Sequence, residues 1–293
     1  MEANPRMTRP YRAAVFVALS SLLVATATAI DSQSQAKLKL APGGLVNIVN
    51  NSGSVTLHAG SGQQVVVNAT RHSDKVEVDS NGMPDGRRVE IRTHVLSQQK
   101  LSSDEAKVDY DITVPAGASV TVSTASAPIT VENLNSDLTL SSDTGKITIK
   151  NVANAHIHVR SIAAPVALTG VSNGHVDVTS NGGPVQLENV AGPRVAIGTT
   201  SGDIEYRGDC SGGGFYNLTT HSGAIDVTLP QNASVDLTAR SLTGTVENDF
   251  PLQQKLHSTF VPSTGRSLVG TSNSGSSSME LQSFNGRIRV KKQ

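Results

Sequence analysis

The residues whose types and spacing could do chemistry are histidines and carboxylates two positions apart. His156 and His158 alternate with Ile157 and Val159, and His175 opens the next such run, followed by Val176, Asp177 and Val178. In a strand the side chains alternate between faces, so His156, His158 and His175 share one outward face with Asp137 and Asp177. Two imidazoles and a carboxylate suit Zn²⁺ or Cu²⁺. A solvated strand face carries His as readily as Thr, however, and a flat face lacks the outer hydrogen bonds that orient metal ligands. The expectation is therefore no bound metal and no cofactor, with His156, His158 and His175 as the candidates to inspect.

A second set is acidic. Asp177, Glu188, Asp203, Glu205 and Asp226 point outward from successive runs, and two carboxylates at the right separation perform glycosidic acid/base work. Such spacing recurs wherever a repeat places an acid, so these residues are read as a charged surface. Cys210 has no second cysteine to pair with. Ser201 and Ser222 precede glycines, yet no Gly-x-Ser-x-Gly elbow surrounds them. Phosphate loops, dinucleotide fingerprints and the Gly-Gly-x-Gly-x-Asp calcium repeat are missing. No catalytic residue is assigned, and the chain is read as non-enzymatic.

The elements that must position these residues follow from a repeat. From Ser119 the chain divides into coils of 18 to 21 residues, beginning SVTVSTASAPITVENL, DLTLSSDTGKITIKNV, HIHVRSIAAPVALTGV, HVDVTSNGGPVQLENV, RVAIGTTSGDIEYRGD, FYNLTTHSGAIDVTLP and SVDLTARSLTGTVEND. Each coil holds two short strands of alternating apolar and polar residues. The first strand gives the columns Val120, Leu138, Ile157, Val176, Val195, Tyr216, Val235 and Val122, Leu140, Val159, Val178, Ile197, Leu218, Leu237. The second gives Ile129, Ile147, Val166, Val185, Ile204, Ile225, Val246. Gly145, Gly183, Gly202, Gly223 and Gly244 mark a corner before the second strand that demands positive φ or close backbone approach. Asn133, Asn151, Gly170, Asn189 and Gly208 close that strand, with Leu134, Val152, Val171 and Val190 placed to plug the second corner.

The predicted fold is all-β: a parallel β-solenoid (a β-helix or β-roll) of two short strands per coil, with an antiparallel β flank. Residues 44–118 form a first coil (Leu45 to Leu57) and the flank, whose Asn81-Gly82 and Asp85-Gly86 pairs signal hairpins. Residues 119–249 are the solenoid repeats, 250–277 a polar, Gly/Ser-rich mobile excursion, and 278–293 the final coil with a basic tail. Stacking at about 4.8 Å makes nine coils a rod of about 40 to 45 Å.

The repeated pattern in Thr199-Thr-Ser-Gly-Asp-Ile-Glu-Tyr206 and Thr219-Thr-His-Ser-Gly-Ala-Ile-Asp-Val227, entered through Tyr110-Asp-Ile-Thr-Val-Pro-Ala-Gly117, resembles the bacterial putative-adhesin family of β-strand-repeat proteins. The resemblance covers about residues 44–248 and the final coil, and implies an exported β-solenoid with adhesion as a suggested role. It brings no catalytic residues.

Composition agrees with a thin rod. Among 293 residues there are five Phe, four Tyr and no Trp, and 24 basic residues balance 24 acidic ones. A neutral chain lacks the basic footprint of a nucleic-acid binder. Arg6, Arg9 and Arg12, the apolar run 13–25 and Ala27-Thr28-Ala29 have the order of a secretory signal peptide, so 1–29 is expected to be removed, leaving 30–43 as an N-terminal linker. The mature chain has no membrane span and is expected in the periplasm, outside the cell or at its surface. Its expected role is adhesion or scaffolding through a repetitive polar surface, with an unidentified cell-surface, matrix or envelope partner. The alternatives are a periplasmic envelope-associated sensing or regulatory domain and a glycan-active β-helix enzyme.

Overall fold

The computed structural model describes residues 31–210, 213–254 and 265–293. The expected signal segment, 1–29, lies outside them. The N-terminal part contributes β1 (Ser32–Lys39), β2 (Leu45–Asn50), β3 (Ser52–Gly60), β4 (Gln64–Arg71), β5 (Val76–Gly82), β6 (Arg88–Val95) and β7 (Lys107–Pro115). The repeats follow as pairs: β8 (Ser119–Thr124) with β9 (Ile129–Glu132), β10 (Leu138–Ser142) with β11 (Ile147–Lys150), and β12 (His156–Ser161) with β13 (Val166–Ser172). Next come β14 (His175–Ser180) with β15 (Val185–Ala191), β16 (Arg194–Thr199) with β17 (Ile204–Arg207), β18 (Phe215–Thr220) with β19 (Ile225–Leu229), and β20 (Val235–Ser241) with β21 (Val246–Asn248). The chain closes with β22 (Gln253–Gln254), β23 (Ser267–Ser272), β24 (Ser277–Ser283) and β25 (Ile288–Lys292).

These strands form two long sheets with one aliphatic core between them. Sheet I has 12 strands in the order β1-β4-β7-β3-β9-β11-β13-β15-β17-β19-β25-β21. Sheet II has 13, in the order β22-β23-β20-β24-β18-β16-β14-β12-β10-β8-β2-β6-β5. The all-β parallel solenoid expected from the repeat is the fold observed. Leu138 stands against Val120 on one side and Ile157 on the other, and Ile147 stands between Ile129 and Val166. Each inner column thus stacks mostly β-branched and Leu side chains at one spacing, buried throughout except for Val246 on the edge strand β21.

The corners are tied by backbone geometry. A Cβ on Gly145, Gly183, Gly202, Gly223, Gly286 or Gly244 would come within 1.8 to 2.3 Å of a main-chain oxygen of the neighbouring coil. None of these glycines has positive φ, so close approach is the reason for them. Beside them runs a buried hydroxyl ladder: Thr124, Ser142, Ser161, Ser180, Thr199, Thr220, Ser283 and Ser241. Ser161 donates to the Ala164 carbonyl at 2.7 Å, Ser180 to Gly183 at 2.9 Å and Thr199 to Gly202 at 2.6 Å. A small hydroxyl side chain can bond the turning backbone where a larger apolar one would leave its carbonyl unpaired. At the second corner Asn133, Asn151, Gly170 and Asn189 adopt positive φ, a region Asn and Gly enter at low cost. Leu134, Val152, Val171 and Val190 are buried beneath them, as expected.

Both ends depart from chain order. Within the 44–118 region β4 and β5 are antiparallel to their neighbours, but β6 and β7 run parallel to β2 and β3 and form a tenth coil outside them. Val89 and Ile91 meet Val46 and Ile48, while Tyr110 and Ile112 meet Val55 and Leu57, so the alternation that defines a coil was already present there. At the other end β24 and β25 insert between β18–β19 and β20–β21. Met279, not Val235, lies against Tyr216, and Leu237 lies against Met279. The register of β20 is therefore two residues from the one its sequence column suggests, a slip that keeps every side chain on its own face.

The described parts of 250–277 carry β22 and β23, which pair antiparallel beyond β20, and Phe250 is buried. Antiparallel strands thus cover the last parallel strands of both sheets at the N-terminal end and of sheet II at the C-terminal end, where β21 is the edge of sheet I. The outer edge strand β1 is polar, and β22 is two residues long, which blunts edge-to-edge pairing. Among the described residues no helix is long and apolar enough to cross a membrane.

Candidate functional site

Strands β10, β12 and β14 bring the candidate histidines together on the outer face of sheet II. His156 pairs in register with His175, and the two rings stack with centroids 4.9 Å apart and planes at 23°. His158 stands opposite Asp177. Asp137 receives the His156 backbone N–H at 2.9 Å and lies 3.2 Å from its Nδ1. That backbone bond is the main reason its carboxyl sits below the usual Asp value, against a smaller opposing effect of burial and with further help from the imidazole. His156 is thus engaged by a ring on one side and a carboxylate on the other. No group of three or more His, Cys, Asp or Glu able to hold a metal ion occurs among the described residues.

The acidic candidates separate between the two sheets. Asp177 is on sheet II, whereas Glu188, Glu205 and Asp226 lie on sheet I and Asp203 on the corner leading into it. Asp203 accepts the Ala224 N–H at 2.7 Å. Glu205 lies 3.3 Å from Arg207, and Asp226 is 3.2 Å from Lys291 and 3.6 Å from Arg287. Asp226, Arg287 and Lys291 meet only because the final coil inserts next to β19. These carboxylates tie neighbouring backbone and cations.

Ser201 and Ser222 donate to the carbonyls of Asn181 and Thr200 at 3.3 and 3.2 Å, each bonding the coil before it. Burial pushes the Cys210 thiol up to about 12, against a hydrogen bond with Tyr206 that lowers it. A thiol so held is a poor nucleophile. It packs with Tyr206 and Tyr216, whose rings meet edge-on at 5.7 Å, and Tyr206 donates to the Val190 carbonyl at 3.1 Å. These tyrosines occupy inward columns, as their positions in the repeat imply.

Several outward residues lie beside these candidates without belonging to a chemical motif of the sequence. Arg160 on β12 and Arg194 on β16 flank the histidine stack, are exposed, and have no ion-pair partner among the described residues. Between β14 and β18, the outer face of β16 is floored by Ala196 and Gly198. Phe215 faces outward in register with Arg194. The columns themselves carried this signal, since each residue occupies an outward position of the repeat. A different patch, the stack of His221 on Phe284 at 4.8 Å beside exposed Leu242, exists only because β24 inserts between β18 and β20. An open cleft of about 1140 Å³ lies at the N-terminal cap between β1, β4 and the β5–β6 turn.

The family model for Toastrack DUF4097 matches residues 46–291, which is nearly the whole described rod. The chain belongs to this family. The resemblance to adhesin-like strand-repeat proteins is borne out with it. No curated protein matches this Toastrack chain. Among solved structures it is similar to one described as a putative cell adhesion protein from Clostridium sporogenes, at 13% identity and a TM-score of 0.34, covering 89% of this chain and 100% of that one. It is also similar to a putative adhesin from Parabacteroides distasonis, at 10% identity and a TM-score of 0.37, covering 90% and 98% respectively.

Proposed function

We propose that this Toastrack protein is exported and works without catalysis, as a rod that presents ordered polar ladders to a cell-surface, matrix or envelope component. One observation carries this reading. The outer face of sheet II is a grid of Ser, Thr, Asn, His, Asp and Arg side chains in register from β8 to β18, interrupted by Ala196 and Gly198 on β16 and Phe215 on β18. A rigid grid keeps many weak polar contacts at fixed spacing, so a repetitive partner engages several at once and gains from multivalency. Of the candidate carboxylates, Asp203, Glu205 and Asp226 are held by backbone or cations, and Asp177 stands on the other sheet from Glu188. The cellular adhesin names of the similar structures agree with a contact role.

The test is fractionation of cells expressing the full chain, followed by sedimentation of the purified mature protein with envelope and cell-surface fractions. Export with co-sedimentation is the expected result. Cytoplasmic retention would overturn it, and so would periplasmic recovery with one stoichiometric protein partner, which would assign sensing instead.

A further inference from the structure

We propose that the outer face of sheet II around Arg160, Arg194 and Gly198 binds a linear anionic polysaccharide. This deepens the contact role above and rests on it. Three features of the face point to such a ligand.

The first is charge. Arg160 and Arg194 are exposed without ion-pair partners among the described residues, and His156, His158 and His175 stand between them. The carboxylates on this part of the face are Asp137, bonded to His156, Asp177, opposite His158, and Glu280, one strand beyond Asn217. The guanidinium groups thus remain as planar donors suited to carboxylate or sulfate.

The second is the glycine. Gly198 lies inside β16, has no positive φ, and a Cβ there would meet nothing within 4 Å. Nothing in the fold requires it, in contrast with the corner glycines, and room for close approach by a ligand is one reason for a strand glycine. Ala196 precedes it on the same face, so β16 floors a shallow trough walled by Asp177 and Thr179 on β14 and by Asn217 and Thr219 on β18. Phe215 stands beside Arg194 at one end and offers a ring against which a sugar can pack.

The third is length. Arg160 aligns with Thr179 and Gly198, while Arg194 aligns with His175 and His156. Two strand spacings and four residue rises separate the two Arg backbones by about 16 Å. One small anion cannot reach both guanidinium groups at that spacing, whereas a chain with repeated anionic groups can. A lipid surface would need an apolar anchor, and the trough has Phe215 alone.

The experiment measures binding of the mature protein to immobilised polygalacturonate, dextran sulfate and neutral dextran, and to phosphatidylglycerol vesicles, at low and high salt. Binding to either acidic polymer, weakened at least tenfold by salt and absent for neutral dextran, is expected; which polymer binds identifies carboxylate or sulfate as the anionic group. Replacing both arginines (Arg160→Ser with Arg194→Ser) should weaken binding at least tenfold. Gly198→Thr, a substitution the open space accommodates, should weaken it about fivefold with unchanged melting temperature. Lys150→Ser on sheet I should leave it unchanged.

Equal binding by wild type and the Gly198→Thr or double-arginine variants overturns the proposal. So does binding to vesicles with none to either acidic polymer. If the arginine variants still sediment with envelope while no polymer binds, this inference fails and the contact role stands; loss of envelope contact with polymer binding intact has the reverse meaning.

Discussion

The two sheets share an interior and differ outside. Their inner columns are equally buried, apolar and in register, but sheet I balances its charges across neighbouring strands. Glu132 meets Lys150 at 3.1 Å, Glu247 meets Arg289 at 2.9 Å, and Asp226 meets Lys291 and Arg287. Sheet II leaves Arg160 and Arg194 without such partners and stacks His156 on His175. Exposed ion pairs contribute little to stability, about 0 to 1 kcal/mol each, so neither arrangement is needed to hold the rod together. The difference teaches that burial dictates the inner face alone. The outer face is free of that demand, and on sheet II it leaves two exposed arginines without ion-pair partners among the described residues.

The strongest way to break this division is to disturb what both sheets share. Gly202→Val places a Cβ 2.2 Å from the Gly183 carbonyl oxygen and should cost at least about 2 to 3 kcal/mol by overpacking, measured by denaturant unfolding. Gly198→Val on the open face should cost under about 1 kcal/mol. Comparable losses at the two glycines would erase the distinction between structural and free positions.

Truncating an inner column should hurt equally on either sheet. Leu140→Ala on sheet II and Leu168→Ala on sheet I each remove a fully buried side chain and should each cost about 2 to 5 kcal/mol. A much smaller loss on one sheet would show unequal interiors.

The hydroxyl ladder sharpens the comparison at the corner between the sheets. Ser180→Ala leaves the Gly183 carbonyl without its 2.9 Å bond, for an expected cost of about 1 kcal/mol. Calorimetry of Ser180→Ala beside the exposed Ser123→Ala, which should change nothing measurable, separates the buried hydroxyls from the surface ones.

The smallest effect concerns charge near the N-terminal cap. Asp109 is half-buried, and burial alone would raise its carboxyl. Hydrogen bonds from Ser54 at 2.7 Å and His72 at 2.7 Å, with Lys107 nearby, outweigh it and hold the carboxyl below its usual value. The charged form is thus favoured in the folded state. Its contribution is fully present above the usual Asp value of about 3.9 and is lost as pH falls through the lowered folded value. Because the site is partly solvated, the effect should stay under about 1 kcal/mol. Unfolding of wild type and Asp109→Asn should converge as pH falls from 5 to 2.5, and a constant gap would exclude this linkage.

Much of the rod was legible because its signals are local. Period-2 alternation in Leu138-Thr-Leu140 or Ile147-Thr-Ile149 defines a strand and its buried face within a few residues, and recurrence every 18 to 21 residues defines the coil. The hairpin at Asp85-Gly86 is also as read, with Gly86 at positive φ and its N–H bonded to the Met83 carbonyl at 2.9 Å. Asn81-Gly82 instead ends β5. The histidines were found together because their neighbours in space are one coil apart in sequence. His221 and Phe284 were not, since 63 residues separate partners that the inserted coil makes adjacent.

By itself the sequence determined the strands, their inward columns, the glycine and asparagine corners and the parallel stacking of coils, because each depends on residues one coil apart or less. Only the tertiary structure decided the order of coils at the two ends, the two-residue slip of β20, and which charges face a partner across strands. The physical reason is that parallel coils with like columns are nearly interchangeable neighbours. Leu237 stands against Met279 where alternation equally allows Val235 against Tyr216, so alternation alone leaves the end coils unplaced, and long-range pairing of β6, β7, β24 and β25 fixes them.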